Sequence, residues 1–166
     1  MANGHLTYKP ATGHLAYSVN GHLALNCVGE SPCYDQECDT EGLGDAVVTT
    51  DCEADCDCVS DTFTYQTYVP DNHQWSWRGG SCMIYGMFEI DFTLELTCQE
   101  DGTWLVKILA MWVVADYVFS GTFPASAIQC VGGAFTGTVE LAGLDASQGG
   151  TSPLPDCTGC TATVTF

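Results

Sequence analysis

The clearest pattern in the chain runs from residue 88 to residue 98. Phe88, Ile90, Phe92, Leu94, Leu96 and Cys98 alternate with Glu89, Asp91, Thr93, Glu95 and Thr97. Successive side chains of a strand point to opposite faces, so this predicts a long antiparallel strand. One face lies in a core and the acidic face lies in water. Gln99-Glu100-Asp101-Gly102 predicts a hairpin turn, and residues 103–114 predict the returning partner. Further strands are expected over residues 62–69, closed by Pro70-Asp71-Asn72, and over 117–123, 135–141 and 161–166. No segment shows capped helical periodicity; residues 142–150 reach one brief helical turn at most. Short strands with Gly and Pro between them predict an all-β fold with an antiparallel β-sandwich-like core. Trp75, Trp77, Trp104 and Trp112 supply that core with large apolar area.

The first 26 residues follow a different pattern. Gly4-His5-Leu6-Thr7-Tyr8, Gly13-His14-Leu15-Ala16-Tyr17 and Gly21-His22-Leu23-Ala24-Leu25 form an internal repeat. Leu6 with Tyr8, Leu15 with Tyr17 and Leu23 with Leu25 each share a strand face. Three short strands make a poor core alone, so residues 1–26 read as an arm of subunit-exchange strands. Residues 27–61 hold six Cys (27, 33, 38, 52, 56, 58) and eleven acids, without Lys or Arg. Only residues 45–50 hint at a strand there, so this segment needs cross-links, metal or docking. Residues 62–166 form the expected antiparallel β domain.

Charge then narrows the partners. With 21 Asp and Glu against 3 Lys and Arg, the net charge is -18. Such a chain does not grip nucleic-acid phosphates or coat an anionic membrane. A hydrophobic fraction of 46% excludes a disordered acidic tail. The most apolar stretch, residues 103–119, is broken by Lys107 and Asp116 and is too short for membrane insertion. Gly, His, Pro, Asn and Ser interrupt the amino terminus where a secretory signal needs an apolar run. Eleven cysteines nevertheless point to disulfides, and the odd count leaves at least one outside intrachain pairs. A signal removed from the chain, a nonclassical exit, or release in a virus particle by lysis reconciles the two; reduced cysteines binding metal in a cytosol are the alternative.

Candidate chemistry is sparse, and no residue is assigned as catalytic, cofactor-binding or metal-ligating. His5, His14 and His22 would stack on adjacent strands as metal ligands, but repeated strand starts explain them more simply. Cys157-Thr158-Gly159-Cys160 precedes a strand rather than opening a helix, which argues against thioredoxin-like chemistry. As half of a zinc site it needs a second pair, and Cys52, Cys56 and Cys58 have imperfect spacing. Structural disulfides are the better reading, with Cys98 to Cys130 a candidate link between sheets. Asp51 to Asp57 does not fit an EF-hand, and Asp35, Glu37, Asp39 and Glu41 form either a calcium-screened or a solvated face. Glu89, Asp91 and Glu95 occupy the outer face of a regular strand rather than a hydrolytic pair. Trp75 and Trp77 share a face, for core packing or for sugar stacking.

The Gly-His-Leu-x-Tyr units, the acidic Cys-rich middle, and the tail Gly121-Thr122-Phe123, Phe135-Thr136-Gly137-Thr138 and Cys157-Thr158-Gly159-Cys160-Thr161-Ala162-Thr163-Val164 carry a resemblance. The chain resembles uncharacterised β-rich structural proteins of environmental bacteria and their phages. That resemblance implies a non-enzymatic, self-assembling subunit of a virion (tail, fibre or decoration) or of an extracellular filament. Its expected partners are copies of itself or other particle subunits, and its expected location is virion or extracellular. The competing expectation is a calcium-dependent adhesive or carbohydrate-binding module.

Overall fold

The computed structural model describes residues 33–36, 38–52, 56–111 and 116–166, together with the backbone pairing of residues 6–9, 14–19 and 22–23. Contacts divide the chain into two units, Met1–Glu30 and Ser31–Phe166.

In the first unit, β1 (Leu6–Lys9), β2 (His14–Val19) and β3 (His22–Leu23) form an antiparallel sheet in the order β1-β2-β3. Leu6 pairs with Tyr17, Tyr8 with Leu15, and Ser18 with Leu23. Each Gly-His-Leu unit therefore contributes one strand. His5 and the side chains of His14 and His22 lie outside the described residues, and so does any stacking of the three imidazoles.

The second unit contains β4 (Ala46–Asp51), β5 (Asp61–Val69), β6 (Gln74–Ile84), β7 (Phe88–Cys98), β8 (Trp104–Met111) and β9 (Asp116–Phe123). A small hairpin follows, β10 (Gln129–Val131) with β11 (Ala134–Thr136). Then come β12 (Thr138–Gly143) and β13 (Thr161–Thr165). Apart from the small hairpin, each strand lies antiparallel to the next, β9 pairs with β12, and β13 returns to β4. The result is a closed eight-stranded barrel, not the expected sandwich. Closure happens because β4, from the Cys-rich segment, joins β13 to β5 and leaves no edge strand in the ring.

β7 keeps the alternation read from its sequence, with Ile90, Phe92, Leu94, Leu96 and Cys98 buried. Its neighbours add Trp75, Trp77, Trp104, Val106 and Ile108 to the interior. An eight-stranded barrel has room for side chains and little else, and the fully buried Trp77, Trp104, Phe63, Phe92, Phe119 and Leu141 occupy it.

β6 carries a bulge. Gly79 pairs with Phe92 and Ser81 with Asp91, leaving Gly80 as the extra residue at φ 66°. The bulge changes the phase of the strand. Trp75 and Trp77 face inward before it, and Cys82 and Ile84 after it. Gly79 is required there: a Cβ would stand 2.6 Å from the Thr62 carbonyl oxygen and 2.8 Å from Phe63 Cα.

Candidate functional site

Both mouths of the barrel are covered by chain that disulfides tie down. At the first mouth β5, β7, β9 and β13 end and β6, β8, β12 and β4 begin. Residues 33–45 and 124–137 cross it. Cys33 is bonded to Cys98, and Cys38 to Cys130. The candidate Cys98 to Cys130 link is thus wrong. Each of these cysteines instead takes a partner from the acidic segment, because that segment is the lid.

Backbone polar groups on the lid accept from the barrel's indoles. Trp77 Nε1 donates to the Gly44 carbonyl at 2.9 Å, Trp104 Nε1 to that of Ile128 at 2.8 Å, and Trp75 Nε1 to that of Asp39 at 3.3 Å. Gln36 joins the two lid segments. Its amide donates to the Ala125 and Ile128 carbonyls, and its oxygen accepts from Cys130 N–H at 2.7 Å. Phe135, from the small hairpin, sits edge-on to Trp75, Trp77 and Trp104 at 5.0, 6.1 and 5.7 Å, with Phe166 beside it. Trp75 and Trp77 are 5% and 1% exposed. They pack in this plug, so the sugar-stacking alternative for these two indoles is excluded. Trp112 lies outside the described residues.

At the second mouth three disulfides converge: Cys52–Cys160, Cys56–Cys157 and Cys58–Cys82. They bind the β4–β5 connection to the β12–β13 connection and to β6. The Cys157-x-x-Cys160 pair closes a turn in which Cys160 N–H donates to the Cys157 carbonyl at 3.0 Å, with Gly159 at φ 84°. The Sγ atoms of Cys52, Cys56 and Cys160 lie within 4.8 Å of one another. Together with Cys157 they are the group that could hold a soft metal once reduced; as two disulfides they offer no thiolate. Among the described residues the acids form no comparable group. Glu37, Glu53 and Asp55 of the candidate calcium runs lie outside those residues. Asp35 belongs to a short 3-10 turn, Cys33–Asp35, rather than a strand.

Next to these disulfides is a recess of about 620 Å³. Met83, Ile84 and Tyr85 of β6 and its turn form one wall, and Pro153, Leu154 and Pro155 form the other, with Asp156 at the edge. Met87, Phe88 and Met111 are exposed at the same mouth. This apolar rim was missed in the sequence. Its signal was available, since Met83, Met87 and Met111 all fall at the tips of neighbouring hairpins.

The carboxylates are mostly ordinary surface groups. Asp156 and Asp101 are held below the usual carboxylate range by hydrogen bonds from Thr158 and Thr103 respectively. Glu95, on the outer face of β7 as expected, is raised by partial burial, against the lowering effects of Lys107 and Gln74. Asp91 is ion-paired with Arg78, and Glu89 accepts from Ser81 at 2.5 Å. Burial and the nearby Glu41 raise the phenol of Tyr65, whose hydroxyl donates to the Thr40 carbonyl at 2.7 Å. Five disulfides fit an extracellular or otherwise oxidising environment. No described helix is long and apolar enough to cross a membrane. Comparison of the chain with protein-family models, curated proteins and solved structures finds no match.

Proposed function

We propose that this chain is a structural subunit of an extracellular assembly, either a virion component or a surface filament. One observation carries the reading. A barrel with a filled interior and two cross-linked mouths accompanies a three-stranded sheet whose outer strands, β1 and β3, pair with no further strand among the described residues. A filled barrel favours a mechanical role over carriage of an internal ligand. A sheet of three short strands gains by pairing an outer strand with another chain. The high negative charge keeps free subunits soluble until they dock.

Deleting residues 1–26 tests the reading. The truncated chain should keep the barrel's far-ultraviolet spectrum and melting temperature, yet stay monomeric by light scattering where the full chain forms oligomers. Persistence of the same oligomer without the arm would remove the reading. The second reading, a binding module, is favoured by the recess beside the Cys58–Cys82 link. Its calcium-dependent form predicts a rise in melting temperature on adding calcium, which chelation reverses.

A further inference from the structure

Met83, Met87 and Met111 are 61%, 71% and 50% exposed, although methionine is a residue that cores readily absorb. Tyr85 is 71% and Phe88 48% exposed beside them. The turn that carries them has positive φ at both central positions, 51° at Tyr85 and 64° at Gly86. Asn-Gly is the usual choice for this type of hairpin turn, and a bulky aromatic at positive φ is strained. The chain thus holds a phenol in water at a position where Asn would sit more comfortably.

Acids ring this apolar surface. Met83 pairs across the ladder with Glu89, and Met111 with Asp91. Asp156 stands at the recess edge, and hydrogen bonds from Thr158 hold it below the usual carboxylate range. Of the barrel's two cations, Arg78 already pairs with Asp91 at the rim and Lys107 stacks on the Tyr117 ring at 4.0 Å, which leaves Glu89 and Asp156 as the rim acids with no cation paired to them among the described residues. With Glu89 and Asp156 beside it, this rim does not complement the same acidic rim of a second copy or an anionic bilayer. The complementary occupant is apolar and positively charged. Methionine side chains are unbranched and polarisable, which lets them repack around such a ligand.

We propose that the recess and its methionine rim bind a basic, amphipathic peptide segment of a partner protein. Apolar side chains of the segment enter between Met83–Tyr85 and Pro153–Pro155, and its Lys or Arg side chains meet Glu89 and Asp156. The residues of this site all belong to Ser31–Phe166, so its failure and that of arm-mediated assembly are read from different variants.

The test uses the full chain and two synthetic peptides of equal length and charge, one an amphipathic Leu/Lys helix and the other its Ser/Lys counterpart. Fluorescence anisotropy at moderate salt should show the Leu/Lys peptide binding at least about tenfold tighter. M83S/M87S/M111S should abolish that preference, whereas V131S, on the lid of the other mouth, should retain it. These side chains are exposed, so folding should survive; Tyr85→Asn, which suits the turn, provides a second variant that should weaken the preference. Equal binding of both peptides, or a preference unchanged in the triple variant, overturns the proposal. Self-association that the triple variant abolishes would assign the rim to a second copy, and co-flotation with phosphatidylcholine vesicles would assign it to a bilayer; either overturns the proposal.

Discussion

Replacing Phe135 with Ala isolates the plug of the first mouth. The ring is 7% exposed and contacts three indoles and Phe166. Truncating a buried Phe to Ala typically costs about 3–5 kcal/mol, combining lost transfer energy with the cavity left behind. Edge-on aromatic pairs contribute about 0.5–1.5 kcal/mol each, already partly contained in that figure. The cavity cannot easily collapse, because Cys38–Cys130 fixes the hairpin and the indole N–H groups hold the surrounding rings. We therefore expect a loss of about 4–5 kcal/mol, in the upper part of the range. The assay is urea unfolding with disulfides intact, followed by tryptophan fluorescence. The midpoint should fall while the slope stays constant, as expected when stability changes and the unfolded state does not. A loss below about 1 kcal/mol would place the ring outside a packed interior and refute the plug.

Other predictions follow from single positions. Gly79→Ala should destabilise the barrel by about 1–3 kcal/mol, because both nearest atoms to the new Cβ are backbone. Gly44→Ala, where a Cβ meets nothing within 4 Å, should be close to neutral in the same melt. Thr103→Val should raise the pKa of Asp101 towards its ordinary value, read by carboxyl NMR titration. Because the folded-state pKa is lowered, the stabilisation from Asp101 is present above its unfolded value near pH 4 and is lost as pH falls through the folded value. An unchanged titration in T103V would remove the Thr103 hydroxyl as the cause and leave only its backbone N–H.

The parts of the fold visible in the sequence were those where one residue repeats per face. β7 satisfied that condition from Ile90 to Cys98, although Phe88, expected on the core face, is exposed, and residues 161–165 satisfied it too; residues 62–69 and 117–123 form strands whose burial does not alternate regularly. β6 did not, since Gly80 shifts its inward phase midway and hides the alternation of Trp75 and Trp77 from that of Cys82 and Ile84. Trp75 and Trp77 could be placed on one face but not in an interior, so sugar stacking remained open. The stretch expected as one strand over residues 135–141 is divided at Gly137, whose φ of 147° separates the plugging hairpin from β12. Closure itself was illegible for a different reason. It depends on β4, six residues within a segment whose acids and cysteines dominate its composition. The odd cysteine could be counted but not placed: five bonds engage ten of eleven, which leaves Cys27, outside the described residues.

A barrel stapled at both mouths is tested most directly by its disulfide map. Native protein, alkylated without reduction and then digested, should yield Cys33–Cys98 and Cys38–Cys130 from one mouth. The other should yield Cys52–Cys160, Cys56–Cys157 and Cys58–Cys82, with any remaining thiol assigned to Cys27. Recovery of a Cys98–Cys130 link, or of Cys52, Cys56, Cys157 and Cys160 as free thiols with stoichiometric zinc, would contradict it.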